Sequence, residues 1–185
     1  MNFINNLLLS KKIAIFGWPA SGKSTFGNFL SNKLNIKLYS LDEIRWKYSK
    51  DGIKDDNQFL NEYYKILEKE KWIIEGNALD WIDSRLEQAD ILIFFDSTIE
   101  KCIENYNNRE NKVQSGKEER LNFDVSKTSH DIINWIENRY SKKIEKLKPN
   151  LNKYSNKLIT VNNYEELNNI IKKIKLKEVK QMENR

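Results

Sequence analysis

The segment Gly17-Trp18-Pro19-Ala20-Ser21-Gly22-Lys23-Ser24 constrains the fold more than any other part of the chain. It fits G-x-x-x-x-G-K-[ST], and it lies between an apolar run, Lys12 to Phe16, and a helical pattern, Thr25 to Leu34. A strand that turns through such a loop into a helix is the setting this pattern requires. Its glycines let successive backbone N–H groups curl around an anion, and the helix N-terminus adds partial positive charge. Gly17, Pro19, Ala20, Ser21, Gly22, Lys23, Ser24 and Thr25 are therefore the candidate nucleotide-binding residues. Lys23 can reach the β- and γ-phosphates, and the Ser24 hydroxyl can ligate Mg²⁺.

Further short apolar runs alternate with helical patterns. Ile36 to Ser40, Trp72 to Glu75, Ile91 to Phe95 and Lys157 to Val161 read as strands. Between them lie helical stretches from Asp42 to Tyr48, from Asp55 or Asp56 to Lys69, from Trp81 to Ala89 and from Ser97 or Thr98 to Arg109. A long one, Thr128 to Lys148, is expected to stop at Pro149, and a last one covers Tyr164 to Ile174. Met1 to Ser10 reads as a short lead-in, and residues 176–185 as a tail that frays. This alternation predicts a single α/β domain, a five-stranded parallel sheet with helices on both faces. The polar stretch Asn111 to Lys127 lacks a sustained period and reads as a short lid, about residues 110–127.

Ligands of such a sheet sit at the carboxyl ends of its strands. Ser40, Asp42, Glu75, Asp96 and Asn162 are the polar residues there. Asp42 and Arg45 lie one helical turn apart. Asp42 can accept from a hydroxyl or stand behind Mg²⁺, and Arg45 can fork onto a phosphate or carboxylate; the plain alternative is a surface ion pair. Glu75, beside Gly76, can hold the metal through water or orient an attacking group. Arg109 at the start of the lid, Arg120 within it and Arg139 beyond it are candidates to neutralise a transferring phosphoryl group, Arg109 foremost. His130, the sole histidine, reads as a surface or capping residue.

The formal net charge of +5 favours anionic ligands, but solvated lysines on helix faces are the preferred account of it. One cysteine, Cys102, precludes an internal disulfide or a CxxC metal site and reads as a small core residue in a reducing compartment. No apolar run approaches the length of a membrane span, so a cytoplasmic location is expected.

In order along the chain, IFGWPASGKST, SLDEIRW, WIIEGN, RLEQADILIFFD and WIENRY resemble the adenylate-kinase-like small P-loop kinases. The likeness covers about residues 12–175 and is nearest to bacterial proteins labelled DNA topology modulation proteins. It implies a P-loop NTPase fold, ATP and Mg²⁺ as cofactors, and transfer of the γ-phosphoryl to a small acceptor held near Asp42 and Arg45, under the lid arginines. The Gly-Phe-Pro-Arg stretch of true adenylate kinases stands here as Gly76-Asn77-Ala78-Leu79, without the arginine; Arg85 follows at a position that is not equivalent. The lid lacks cysteines. The expected activity is that of a small-molecule kinase of the nucleoside monophosphate-like kind, acting on a nucleotide or a similar phosphate- or hydroxyl-bearing acceptor, in a monomer or homodimer. The alternative is a nucleotide-dependent switch or a nucleic-acid-associated ATPase. A GTPase is disfavoured, because Asn32-Lys33-Leu34-Asn35 ends in the wrong residue for a guanine signature.

Overall fold

The computed structural model describes residues 3–50, 53–116 and 129–183. Five parallel strands form the main sheet: β1 (Lys12–Gly17), β2 (Leu38–Ser40), β5 (Trp72–Glu75), β6 (Ile91–Phe95) and β7 (Leu158–Val161), in the order β2-β5-β1-β6-β7. A two-stranded antiparallel ribbon, β3 (Ser49–Lys50) and β4 (Ile53–Lys54), stands apart from it. The turn expected at Asp51-Gly52 lies outside the described residues.

The strands alternate sides with a period of two, and both sides are buried. Ala14, Phe16, Leu92 and Phe94 pack on one face, and Ile13, Ile15, Ile91, Ile93 and Phe95 on the other. Such strands must be apolar throughout, which is why β1 and β6 read as continuous runs. One face is covered by α3 (Leu41–Lys47), α4 (Asp56–Leu67), α5 (Ile82–Gln88) and α8 (Ser141–Leu151). The other is covered by α1 (Phe3–Leu9), α2 (Lys23–Leu34) and α9 (Tyr164–Glu183). In α4 the expected stripe of Phe59, Tyr63, Ile66 and Leu67 is buried, and the Asp55 side chain caps its N-terminus by accepting from the Gln58 N–H at 3.0 Å.

Four expectations need correcting. The lead-in is a short helix, α1, because Ile4 and Leu7 bury their side chains beneath the sheet. Pro149 does not end its helix, which runs to Leu151. Pro149 is exposed and lies near the end of α8, where the loss of its N–H removes only one internal bond. The tail does not fray at residue 176: α9 continues to Glu183. Finally, α6 (Ile99–Gln114) extends a full turn into the stretch read as lid, and most of the rest of that stretch lies outside the described residues.

The long helix after the lid is not uniform. Between α7 (Ser129–Trp135) and α8 it passes through a π-helical turn, Ile136–Tyr140. Ile132, Ile136, Tyr140 and Ile144 recur every four residues. In a straight α-helix that spacing drifts by ~40° per step, so the stripe would wind off the core. A locally wider turn cancels part of the drift and keeps Ile136, Tyr140 and Ile144 buried together.

Candidate active site

The loop between β1 and α2 is held from four sides. From β6, the Phe95 carbonyl accepts from the Trp18 N–H at 2.9 Å. From the segment after β5, Asn77 Oδ1 accepts from the Gly17 N–H at 3.1 Å. From α6, Asn105 Nδ2 donates to the Ala20 carbonyl at 3.2 Å and Cys102 Sγ lies 2.7 Å from the Pro19 carbonyl. The Tyr140 hydroxyl, delivered by the π turn, donates to the Gly17 carbonyl at 2.8 Å. Trp18 is buried edge-on to Tyr140, and its Nε1 donates to Asp96 Oδ1 at 3.1 Å. Asp96 also pairs with Lys148 at 3.0 Å, so this strand-end carboxylate ties the loop to α8.

The loop backbone departs from ordinary conformations where an anion cradle needs it. Ala20 has φ of 51° and Gly22 has φ of 95°. Gly22 is the N-cap of α2 and supplies no side-chain cap, so the first N–H groups of that helix are left for a ligand. Gly17 is required for a different reason. A Cβ there would lie 2.2 Å from the Phe95 carbonyl oxygen, because the loop leaves the sheet against the end of β6.

Lys23 is buried at the start of α2, and its ammonium donates to the Trp18 carbonyl at 2.5 Å. Burial lowers its pKa, against the opposing pull of Glu75 and Asp42. Glu75, at the end of β5, is also buried; burial, with Asp42 next, raises its pKa. Lys23 and hydrogen bonds from the Ser40 and Ser24 hydroxyls act the other way. Glu75 thus stands between the start of α2 and the carboxyl ends of β2 and β5.

The structure brings Lys23, Ser24, Asp42 and Glu75 together. Asp42 is exposed in the first turn of α3, within electrostatic reach of Lys23, Glu75 and Arg85. Arg45 turns elsewhere. It pairs with Asp56 at 2.7 Å and lies over the rings of Phe59 and Trp81 at 4.4 and 4.9 Å. Arg109 is half-buried inside α6, one turn beyond Asn105 on the face that touches the loop, rather than at a helix end. Arg120 lies outside the described residues. Arg139 and His130 are exposed, and Asn162 bonds through backbone and side chain to Glu166 in the first turn of α9. Thr25 is exposed on the first turn of α2.

The sequence pattern alone did not single out Tyr140, Asn77 or Asn105, and it set Arg85 aside. Ser40, a candidate for its place at the end of β2, is also the N-cap of α3, with its oxygen 3.5 Å from the Glu43 N–H. Tyr140 was hidden within an apolar stripe, where its ring was evident and its hydroxyl was not.

Among the described residues, no group of three or more His, Cys, Asp or Glu side chains could hold a metal. A Mg²⁺ site of the P-loop kind needs no such group, since it uses one or two protein oxygens, waters and the substrate phosphates. Ser24 in the first turn of α2 and Glu75 at the end of β5, both hard oxygen donors, fit it.

A parallel sheet in this order, with a phosphate-binding loop between its central strand and a helix, defines a P-loop NTPase fold. Solved structures agree. A shikimate kinase from Bacteroides thetaiotaomicron is similar at TM-score 0.51 and 16% identity, over 93% of this chain and 99% of that one. A shikimate kinase from Acinetobacter baumannii in complex with shikimate is similar at TM-score 0.54 and 14% identity, over 96% and 98%. No protein-family profile and no curated protein sequence matches the chain. At these identities the likeness establishes the fold, with the sheet, loop and covering helices in common. No helix among the described residues is long and apolar enough to cross a membrane.

Proposed function

We propose that the chain is an ATP-dependent kinase that moves a γ-phosphoryl group to a hydroxyl or phosphate oxygen of a small acceptor. One observation carries this reading: Glu75, buried at the end of β5, lies within electrostatic reach of both Lys23 of the loop and Asp42 of α3. The phosphate-binding loop and the strand ends where an acceptor would lie therefore form one polar cluster. A switch or a motor also uses a strand-end acid such as Glu75 for the metal; the second acid, Asp42 from α3, is the one it would not need.

In this reading the loop amides and Lys23 hold the β- and γ-phosphates, Lys23 exchanging its bond to the Trp18 carbonyl for phosphate oxygens. Ser24 and Glu75 hold Mg²⁺, which supplies charge neutralisation between the phosphates. Asp42 accepts the proton of the acceptor hydroxyl as its oxygen bonds to the γ-phosphorus and the bond to the β-phosphate oxygen breaks. Arg109, with Arg120 of the lid, lies over the transferring group and shields it from water. Arg45 lines the acceptor side while its guanidinium is held over Phe59 and Trp81. The sequence motifs support a nucleotide acceptor, and the similarity of fold supports a small hydroxy acid. The finer resemblance, to proteins labelled DNA topology modulation proteins, rests on those motifs and supports no role on DNA itself. A soluble, cytoplasmic monomer or homodimer suits such an enzyme.

The test is ADP release from ATP-Mg²⁺ with a panel of nucleoside monophosphates, nucleosides and small hydroxy acids including shikimate. One acceptor is expected to raise turnover well above background, with loss of that rise in Lys23→Ala. Nucleotide binding without stimulation by any acceptor would support the switch reading. Binding to nucleic acid that falls steeply with salt would support the other alternative.

A further inference from the structure

Arg85 is the one arginine among the largest fully buried side chains, with 0% exposure, on the inner face of α5. Its Nη2 donates to the Asn77 carbonyl at 2.9 Å. Its Nε and Nη1 have no hydrogen-bond partner among the described residues, and no carboxylate there lies within ion-pair distance. Buried guanidinium groups are ordinarily paired on several nitrogens. Each two-nitrogen edge of this one contains Nη2 and one unpartnered nitrogen, so each edge keeps an open donor.

The position is as informative as the vacancy of partners. Asn77, which accepts from Arg85 through its carbonyl, accepts from the Gly17 N–H through its side chain. One residue therefore separates the guanidinium from the start of the phosphate-binding loop. The groups that act electrostatically on it come from four further elements: Tyr63 of α4, Glu75 of β5, Tyr140 of the π turn and Asp42 of α3. Both tyrosine hydroxyls already donate to backbone carbonyls, Tyr63 to Trp81 at 3.1 Å and Tyr140 to Gly17. Neither donates to a ligand, which leaves Arg85 as the donor with nitrogens to spare. It is carried by α5, which packs on the face of the sheet opposite α2.

We propose that Arg85 is the anion-binding residue of the acceptor pocket, and that the acceptor carries an oxyanion, a carboxylate or a phosphate monoester, besides the oxygen that is phosphorylated. This inference rests on the kinase reading for the word acceptor, but its test does not require turnover. An oxyanion set on Arg85 fills the open donors and positions the rest of the molecule beside Asp42 and Glu75. Planar guanidinium geometry suits both anion types, so the two sources are separated experimentally.

The experiment uses the full chain with ATP-Mg²⁺ present and measures binding by calorimetry. The probes are AMP and shikimate, for the phosphate and the carboxylate, with adenosine and methyl shikimate as their uncharged counterparts. The wild-type protein is expected to bind one anionic probe and to bind its uncharged counterpart at least tenfold more weakly. In Arg85→Met the binding of that anion falls at least thirtyfold, about 2 kcal/mol. The ATP dissociation constant stays within about twofold. Arg85→Lys, which keeps charge but loses the fork, binds the anion with intermediate affinity. Thermal melts of the unliganded variants check the fold, and Arg85→Met is expected to melt no lower than wild type. A lower melting temperature would mark Arg85 as a structural residue and overturn the proposal. Equal anion binding by wild type and Arg85→Met would overturn it, as would weakened ATP binding alone or failure of wild type to bind either anion. If an uncharged acceptor stimulates ADP release equally in wild type and Arg85→Met, the kinase reading stands and this one falls.

Discussion

Replacing Tyr140 with phenylalanine isolates the bond between the π turn and the phosphate-binding loop. The two side chains have nearly the same shape, so the ring contacts of Tyr140 with Trp18 and Trp135 are kept and no cavity opens. What is lost is one buried hydrogen bond of 2.8 Å to the Gly17 carbonyl. Leaving a buried acceptor unsatisfied costs about 1–3 kcal/mol. At about 2–4 °C per kcal/mol for a chain of this size, a loss near 1.5 kcal/mol lowers the melting temperature by about 3–6 °C. Circular dichroism melts of Tyr140→Phe against wild type, with the exposed Tyr164→Phe as control, measure it. Because the carbonyl belongs to the first residue of the loop, ATP affinity is expected to fall as well. A melting temperature within about 1 °C of wild type would show that this bond does not hold the loop, and the support described above would then come from β6, Asn77 and α6 alone.

Glu75→Gln is expected to lose Mg²⁺-dependent turnover while gaining stability at neutral pH. The folded pKa of Glu75 lies above the ordinary 4.5. The folded state thus binds the proton more tightly than the unfolded one, and stability declines as pH rises from 4.5 through the folded value. Denaturant titrations across that window should show the decline in wild type and a smaller one in Glu75→Gln. Lys23 carries the opposite sign: its folded pKa lies below 10.5, so its contribution to stability grows as pH rises through the folded value toward 10.5. Lys23→Met, which keeps the stem and removes the buried charge, should flatten that alkaline limb and abolish ATP turnover, both readable from melts and ADP release. Asn105→Ala removes the α6 bond to the Ala20 carbonyl at a part-buried site. It should weaken ATP binding by about 0.5–1.5 kcal/mol in a titration, with little change in melting temperature.

The parallel sheet was legible because each of its strands is a short apolar run between polar segments, and burial on both faces demands that pattern. The phosphate-binding loop was legible because its chemistry is local: Lys23 and Ser24 are set by spacing from Gly17 and Gly22. The ribbon β3–β4 went unread, since two residues per strand carry no period. The orientation of Arg45 also could not be read. Its i, i+3 spacing to Asp42 is compatible with a shared site, but Asp56 and the two aromatic rings come from α4 and the segment after β5, contacts that only the tertiary fold creates. Arg85 is the harder case. A lone arginine in a helix reads as solvated, and complete burial of such a side chain is too rare to be expected from spacing alone. Residues that serve the site through the backbone, Tyr140 and Asn77 among them, were invisible because their partners are carbonyl and amide groups common to every residue.

The close approach of Gly17 to the end of β6 changes how variants in this chain should be interpreted. The two glycines of the loop share a left-handed backbone angle and differ in what surrounds them. At Gly22 the nearest atom to an added Cβ is Leu167 Cδ2 at 3.8 Å, so the obstacle is the backbone angle and the consequence falls on the cradle. At Gly17 the obstacle is the sheet itself. A screen scored by growth or activity would report both positions as intolerant and would attribute both to the nucleotide. Scored by protein abundance, they would separate: Gly17 variants would be cleared by the cell as misfolded chains, and Gly22 variants would accumulate as folded, inactive protein.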